Sequence, residues 1–561
     1  MEEIRNAVER QLGEGKSPRD FQMEMIFAQE EGRDAMCHAA TGLGKTLIAA
    51  APFALEKNRT QVTIMVSPLI ALQNEMVETF KTAYGVSAIA INSSHGGCSP
   101  SAMEAIVAGR FNIVLISPEM LLTEKFTEGV LKNKDFAKRV YSVFVDEAHC
   151  ISHWGAKFRK VYGRLGAVRA FLPRGTPVIA VSASLTPRVA ENVRHVLQFR
   201  PGYTFINIGN NRKNVSYIVR SIHNKANSYT DLNFVIPPNT TERNTLKKLW
   251  IYADNIHDGA DIVDHLRSLL PEDLKDTVRP YNAMFGNKYR ARAMELFRDG
   301  HIRILVCTDA AGMGCNIPDI DMVVQWKLPE KLSSFIQRAG RAARGDGRSG
   351  IAVLLAEPSA YSVDTASSAD VGEAESGRHG NLHRKKQPSA PKGSHSKKAR
   401  RPKEFAEMHG RHRGQRNGAR DNLPDLIEAD GEVCIQEDTE GMHAFVQTIA
   451  CRRKIQHTVF NNPDTGPPSV QCCDICCPSL LDESRPGIGP KTKRSPKLPD
   501  INPSPTLFAS LVRWRETVRE RDLKNTFITG STILPDEAVS LLASLESFTK
   551  KVIDGLLSKR W

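Results

Sequence analysis

The chain has 561 residues, 41% of them hydrophobic, and a formal net charge of +13. That length exceeds one domain and predicts three or four units with cores of their own. No apolar run reaches the eighteen or so residues of a membrane span, and the polar, acidic start MEEIRNAVERQLGEGKSPRD lacks the apolar core of a secretory signal, so cytosol or nucleus is the expected setting.

Residues 1–205 alternate strand-like and helix-like patterns. DAMCHA, VTIMVSPL (62–69), NIVLISP (112–118), YSVFVDEA (141–148) and TPVIAVSAS (176–184) are short, aliphatic and β-branched, as buried parallel strands are. Helical stretches such as ALQNEMVETFKTA separate them, which predicts an α/β domain. A second α/β series occupies 206–358, with strand candidates KKLWIYAD (247–254), RILVCTD (303–309), MVVQWKL (322–328) and GIAVLLA (350–356). Two such domains side by side predict a cleft between them.

From 359 to 430 the pattern collapses into Ser, Gly, Pro, His, Lys and Arg, the composition of a disordered linker. Residues 381–420 alone carry +11 of the net charge, so the attraction to polyanions is local. A cysteine-rich module is expected at 431–480. A Pro/Lys linker follows at 481–505 and a small helical module at 506–561, with helices over 507–522 and 536–559. Cys37, Cys98, Cys150, Cys307 and Cys315 read as ordinary thiols. The clustered Cys451, Cys472, Cys473, Cys476 and Cys477 favour a metal over disulfides in a reducing setting.

The chemistry is written in three places. AATGLGKT at 39–46 follows a strand and opens a helix, so backbone N–H groups at Ala39, Thr41, Gly42 and Gly44 are placed to wrap phosphates. Lys45 is expected to reach the β and γ phosphates and Thr46 to hold Mg²⁺. About 100 residues later a buried strand delivers Asp146, a second Mg²⁺ ligand, and Glu147, the group that orients the attacking water. QRAGRAAR at 337–344 offers Arg341 and Arg344 from across the cleft, where a guanidinium can stabilise a transferring phosphoryl group.

These segments, in this order, resemble the superfamily 2 helicases and among them the RecQ-like DNA helicases, over residues 15–356. Arg19 and Gln22 resemble the motif that reads the nucleotide base. SPLIALQNEMV (67–77) resembles a strand-tracking motif, which implies backbone contacts at Ser67 and Pro68. DEAHCISHWGAKFRKVY (146–162) resembles the aromatic-rich loop that couples DNA binding to hydrolysis, implying coupling roles for His149, Trp154, Phe158, Arg159 and, from the 337–344 motif, Gln337. His153 stands where the family commonly has Gln, Asn282 where it usually has His, and Ala343 where Gly is common. Thr308 and Trp154 are further implied DNA contacts.

The resemblance implies two RecA-like domains, ATP and Mg²⁺ as cofactors, single-stranded and partly duplex DNA as partner, 3′ to 5′ unwinding, and a nuclear role in repair, recombination or telomere upkeep. It also implies one structural Zn²⁺. Cys451, Cys473 and Cys476 match family ligands, the fourth position falls on Val470, and Cys472 or Cys477 is left to fill in. No room is seen for a winged-helix module, and the tail weakly resembles an HRDC-type module. An RNA helicase and a catalytically silent DNA-binding relic remain open alternatives.

Overall fold

Short aliphatic runs become strands covered on both faces, because parallel strands connected by helices have no solvent-facing side. The computed structural model describes residues 2–365, 402–423, 435–489 and 503–553, apart from 69, 94–95, 156–158, 313–316, 523–532, 546–548 and 551–552. Seven strands form the first sheet: β1 Ala35–Ala39, β2 Val62–Val66, β3 Ala88–Ile91, β4 Ile113–Ile116, β5 Val140–Val145, β6 Val178–Ser182 and β7 Thr204–Gly209. They run parallel in the order β3-β4-β2-β5-β6-β1-β7. Six more form the second: β8 Val215–Ser221, β9 Leu249–Ala253, β10 Val278–Tyr281, β11 Ile304–Cys307, β12 Met322–Trp326 and β13 Gly350–Ala356. Their order is β10-β11-β9-β12-β13-β8, again all parallel. Two RecA-like sheets result, and the loops at the carboxyl ends of their strands are where ligands of such folds bind.

The expected boundary at 205 cuts through a strand. β7 pairs with β1 from Ala35↔Thr204 onward, so the first domain runs to Gly209 and the second opens at Val215. The half-buried edge sequence TFINIG carries no continuous apolar signal.

The expected linker also needs correction. Residues 402–423 are packed, with the helix Pro402–Met408 burying Phe405 and Ala406 and with Arg413 only 2% exposed. Residues 366–401 and 424–434 lie outside the described residues.

The cysteine-rich module sits on the second sheet. Phe445, Val459, Phe460 and Cys473 share one core with Tyr217 of β8 and Phe335. Tyr217 N–H donates to the Cys472 carbonyl at 3.3 Å, and Asp474 N–H to the Tyr217 carbonyl at 2.9 Å. This strand-like bridge covers the free edge of β8. The module continues past 480: Leu481 is buried and Gly487 N–H donates to the Thr230 carbonyl at 3.1 Å.

Residues 490–561 form a second compact unit. Its helix Pro505–Asp522 holds the helix Asp536–Ala543 through an Arg515–Asp536 ion pair at 2.5 Å. Arg515 is buried there and so turned inward. The expected helix over 536–559 stops at Ala543, and most of the rest lies outside the described residues. No helix among the described residues is long and apolar enough to cross a membrane.

Candidate ATP site and coupling elements

β1 leads into the turn 40–45, where Gly42 and Gly44 have φ of +83° and +73°, the left-handed region glycine enters without strain. Gln22 braces this turn from the side. Its Nε2 donates to the Gly44 carbonyl at 2.8 Å and to the Leu43 carbonyl at 3.2 Å, while its Oε1 accepts from Arg19 N–H at 2.7 Å. Lys45 Nζ donates to the carbonyls of Ala39 and Ala40, each at 3.0 Å, so the ammonium is folded back onto its own loop. Desolvation lowers its pKa, and the charges of Glu147 and Asp146 oppose that. Thr46 opens the helix Thr46–Ala50.

β5 ends one residue before Asp146. Glu147 then takes φ +47°, a costly conformation for a non-glycine residue and of a kind concentrated at functional sites. Asp146 Oδ1 accepts the Glu147 N–H at 2.9 Å. Burial, and then the Glu147 charge, push Asp146 up to about 7. Burial works against Glu147 too, but its hydrogen bond to His149 and the nearby Lys45 hold it down at about 2. Of the two acids Glu147 is the one favoured to carry the charge, and a positive charge beside the pair would favour both. His149 Nδ1 lies 2.8 Å from Ser182 Oγ and 3.4 Å from Glu147 Oε2, joining the acid to the SAS segment.

The second domain closes over this half-site. The helix Leu332–Ala339 is anchored by Arg338, which is buried and bonds Asp254 at 2.6 Å and Asp309 at 2.8 Å. Beyond it Gly340 meets the phosphate loop: Thr41 Oγ1 donates to the Gly340 carbonyl at 2.9 Å. A Cβ at 340 would lie 2.5 Å from Thr41 Oγ1, so this approach requires glycine. Arg212 ties the same turn with bonds to the carbonyls of Gly340 at 2.9 Å and Ala343 at 2.7 Å. Arg341 is buried, and its positive charge helps keep Glu147 ionised. Burial, Arg341 and Arg212 push Arg344 down to about 9. Gln337 Nε2 is buried with no hydrogen-bond partner among the described residues. The cleft has a volume of about 640 Å³, and its lining includes Arg19, Thr41, Leu43, Arg212, Arg344 and Arg348.

Ala343 has φ +47°. Replacing it by glycine removes a left-handed alanine, so Ala343→Gly is expected to raise stability by about 1 kcal/mol. A urea midpoint equal to or below that of the unsubstituted chain contradicts this.

The DEAD/DEAH box helicase family matches residues 19–193, and the helicase conserved C-terminal domain matches residues 239–346. The chain is 28% identical over 347 residues to an ATP-dependent DNA helicase RecQ of Haemophilus influenzae, covering 62% of this chain and 52% of the relative. It is 27% identical over 328 residues to the ATP-dependent DNA helicase Q-like 2 of Arabidopsis thaliana, covering 58% and 44%. This chain belongs to the RecQ-like superfamily 2 helicases. It spans about half the length of the curated RecQ relatives it matches. A solved structure of the helicase MrfA bound to DNA and AMPPNP shares the fold, with a TM-score of 0.50 and 18% identity, covering 63% of this chain and 50% of that one.

In this RecQ-like chain the segment expected to act in coupling follows the acids directly. Trp154 belongs to the helix Cys150–Gly155, but its side chain and the whole of Phe158 lie outside the described residues. Arg159 forms an ion pair with Glu119 at 2.5 Å and donates to the Pro68 carbonyl at 2.9 Å. Ser67 is fully buried, with its carbonyl accepting from Gln73 Nε2 at 3.0 Å. Ser67 and Pro68 therefore brace the coupling segment here and are not exposed at the surface. Thr308, at the end of β11, is half-buried and caps its own turn, Oγ1 accepting from Ala310 N–H at 3.4 Å. Asn282 caps a turn likewise, Oδ1 accepting from Met284 N–H at 3.0 Å. His153 bonds Glu440, Nε2 to Oε1, at 2.8 Å. No sequence signal pointed to Glu440.

Cys451, Cys472, Cys473 and Cys476 bring their sulfurs within 4.8 Å of one another. The Cys451–Cys472, Cys451–Cys473 and Cys473–Cys476 separations are 3.3, 4.0 and 3.6 Å. A tetrahedral zinc with Zn–S bonds of about 2.3 Å sets neighbouring sulfurs roughly 3.8 Å apart, so the donors fit. Cys472 is the fourth member of this sulfur cluster. Cys477 is not part of this group; its N–H donates to the Cys473 carbonyl at 2.8 Å as the chain turns away.

Proposed function

We propose that this chain hydrolyses ATP and uses the turnover to move 3′ to 5′ along single-stranded DNA and separate duplexes. The observation that carries the reading is the second domain's turn meeting the phosphate loop, Thr41 Oγ1 to the Gly340 carbonyl at 2.9 Å, with Lys45 beside Asp146 and Glu147 and with the charges of Arg341 and Arg344 reaching Glu147. In this reading Lys45 leaves its loop carbonyls for the β and γ phosphates, and Glu147, already ionised, orients the attacking water. Thr46 and Asp146 would hold Mg²⁺, whose charge neutralises the phosphates and lets both acids stay ionised. Arg19 and Gln22 flank the base, and Arg341 and Arg344 meet the charge that develops on the transferred group.

Coupling is assigned to His149, Trp154, Phe158, Arg159 and Gln337. Contacts to the tracking strand are assigned to Ser67, Pro68, Thr308 and Trp154 once the cleft rearranges on DNA. Cys451, Cys472, Cys473 and Cys476 would hold a structural zinc that fixes the module on β8. The basic stretch 381–420 supports a nuclear setting and a further affinity for nucleic acid. Repair, recombination or telomere upkeep is the corresponding role.

The test is ATP turnover with and without single-stranded DNA, together with strand separation on a 3′-tailed duplex. DNA stimulation that vanishes in Glu147→Gln is the expected result. Turnover indifferent to DNA refutes the reading, and greater stimulation by RNA than by DNA replaces the substrate.

A further inference from the structure

A short segment outside the motor motifs crosses from one lobe to the other. Residues 435–441 lead into the helix Met442–Gln447, and Glu440 lies near the end of that approach. Its side chain is buried, and its backbone takes φ +51°, a strained position for a non-glycine residue that the surroundings must enforce.

Glu440 Oε1 is 2.8 Å from His153 Nε2 in the first lobe and 3.7 Å from Lys331 Nζ in the second. His153 lies on the helix that follows the acidic pair. Its ring meets that of His149 edge-on at 5.4 Å, and His149 reaches Glu147 at 3.4 Å. Lys331 immediately precedes the helix Leu332–Ala339, whose far end opens into Arg341 and Arg344. Leu332 N–H donates to the Thr439 carbonyl at 3.2 Å, so the segment holds that helix start by backbone as well. An outlying pair, Arg188–Glu437 at 2.7 Å, is exposed on both sides and adds little. The contacts thus run without a gap from the water-orienting acid through His149, His153, Glu440 and Lys331 to the arginine-bearing helix.

We propose that Glu440 is a positioning residue, a clasp that joins the coupling helix of the first lobe to the arginine-bearing helix of the second so that the two move as one when DNA binds. The proposal rests on the DNA-stimulated motor reading above. A buried carboxylate suits the task, because it accepts from the imidazole N–H of the first lobe while an ammonium of its own lobe holds it in place, and it loses the imidazole if the lobes slide.

The test is the ratio of DNA-stimulated to basal ATP turnover in the full chain. Glu440→Ala is expected to lower that ratio roughly tenfold, within the usual range of coupling between sites, through the stimulated kcat and with the KM for ATP unchanged. Loss of folded protein would lower both rates together and leave the ratio alone. Glu440→Gln keeps an acceptor for His153 and is expected to retain most of the stimulation. His153→Ala, which breaks the clasp from the other side, should reproduce the loss, and the double variant should lose no more than either single one. Glu437→Ala is the neutral control.

A Glu440→Ala ratio equal to that of the unsubstituted chain overturns the clasp, as do Glu440→Ala and His153→Ala losses that multiply. If Glu440→Ala fails to fold, His153→Ala decides alone: a preserved ratio overturns the clasp. An unsubstituted chain whose Glu147-dependent turnover ignores DNA sinks the motor reading and the clasp with it, which separates the two failures.

Discussion

Asp474→Ala is expected to destabilise the first unit by about 3–5 kcal/mol, the cost of removing one partner from a buried ion cluster. The carboxylate is fully buried between two guanidiniums that are themselves 2–3% exposed. Arg413 bonds it at 2.8 Å, and Arg452 bonds it twice, at 2.5 and 2.8 Å. Val219 N–H, on β8, donates to the same carboxylate at 3.0 Å. Alanine would leave two buried positive charges and a backbone donor without their acceptor. The three partners come from far apart in the chain: the basic stretch before the module, the helix after Cys451, and the second sheet. The loss should therefore appear as a lower urea midpoint for the whole unit, beyond local fraying of the module. A stability within about 0.5 kcal/mol of the original would mean that the cluster relaxes to water and does not hold residues 402–423 in place.

This cluster also marks where sequence reading reached its limit. Arg413 counts toward the basic linker when charges are summed along the chain. Only the fold shows that Asp474, sixty-one residues later, neutralises it. Local composition predicts disorder well when charges stay solvated, but it cannot register a charge that is paired at long range. Two of the missed strands fail for a related reason. VRPY of β10 and TFINIG of β7 are short and only partly buried, so the rest of the sheet makes them strands.

The continuous aliphatic runs VTIMV, VYSVFV and MVVQW carried their own signal, because parallel strands are buried on both faces. The candidate ATP-site residues were legible for a different reason. Phosphate wrapping demands glycines with left-handed backbone next to Lys and Thr, and metal binding demands acids at a strand end. Those demands fix residue types at local spacings. Glu440 answers a tertiary demand alone, and nothing around it in sequence announces it. The choice between Cys472 and Cys477 was also tertiary: Cys472, bonded by its carbonyl to Tyr217, sets its sulfur 3.3 Å from that of Cys451, whereas Cys477 packs against the other core of the second sheet.

Arg344→Ala is expected to lower kcat for ATP hydrolysis by about 10³-fold, the range in which a guanidinium supplied to a transferring phosphoryl group operates. The case rests on electrostatics visible without a nucleotide. Arg344 lies in a cleft already lined by Arg19, Arg212 and Arg348, and its neighbours Arg341 and Arg212 push its pKa down to about 9. Like charges packed this way cost stability unless something negative comes between them, and a triphosphate is the ligand that repays the cost. The repayment is larger in the transition state, where charge moves toward the oxygens facing Arg344. A transition-state contact removed by mutation lowers kcat and kcat/KM together, whereas a contact made equally in the ground state raises KM and spares kcat. Single-turnover hydrolysis at saturating ATP separates the two. A variant with near-normal kcat and raised KM would make Arg344 a binding residue and move the transition-state role to Arg341. That residue is also buried, and its charge already reaches Glu147. In the proposed motor either outcome would leave hydrolysis dependent on the lobes meeting, and that dependence would let DNA between them set the rate.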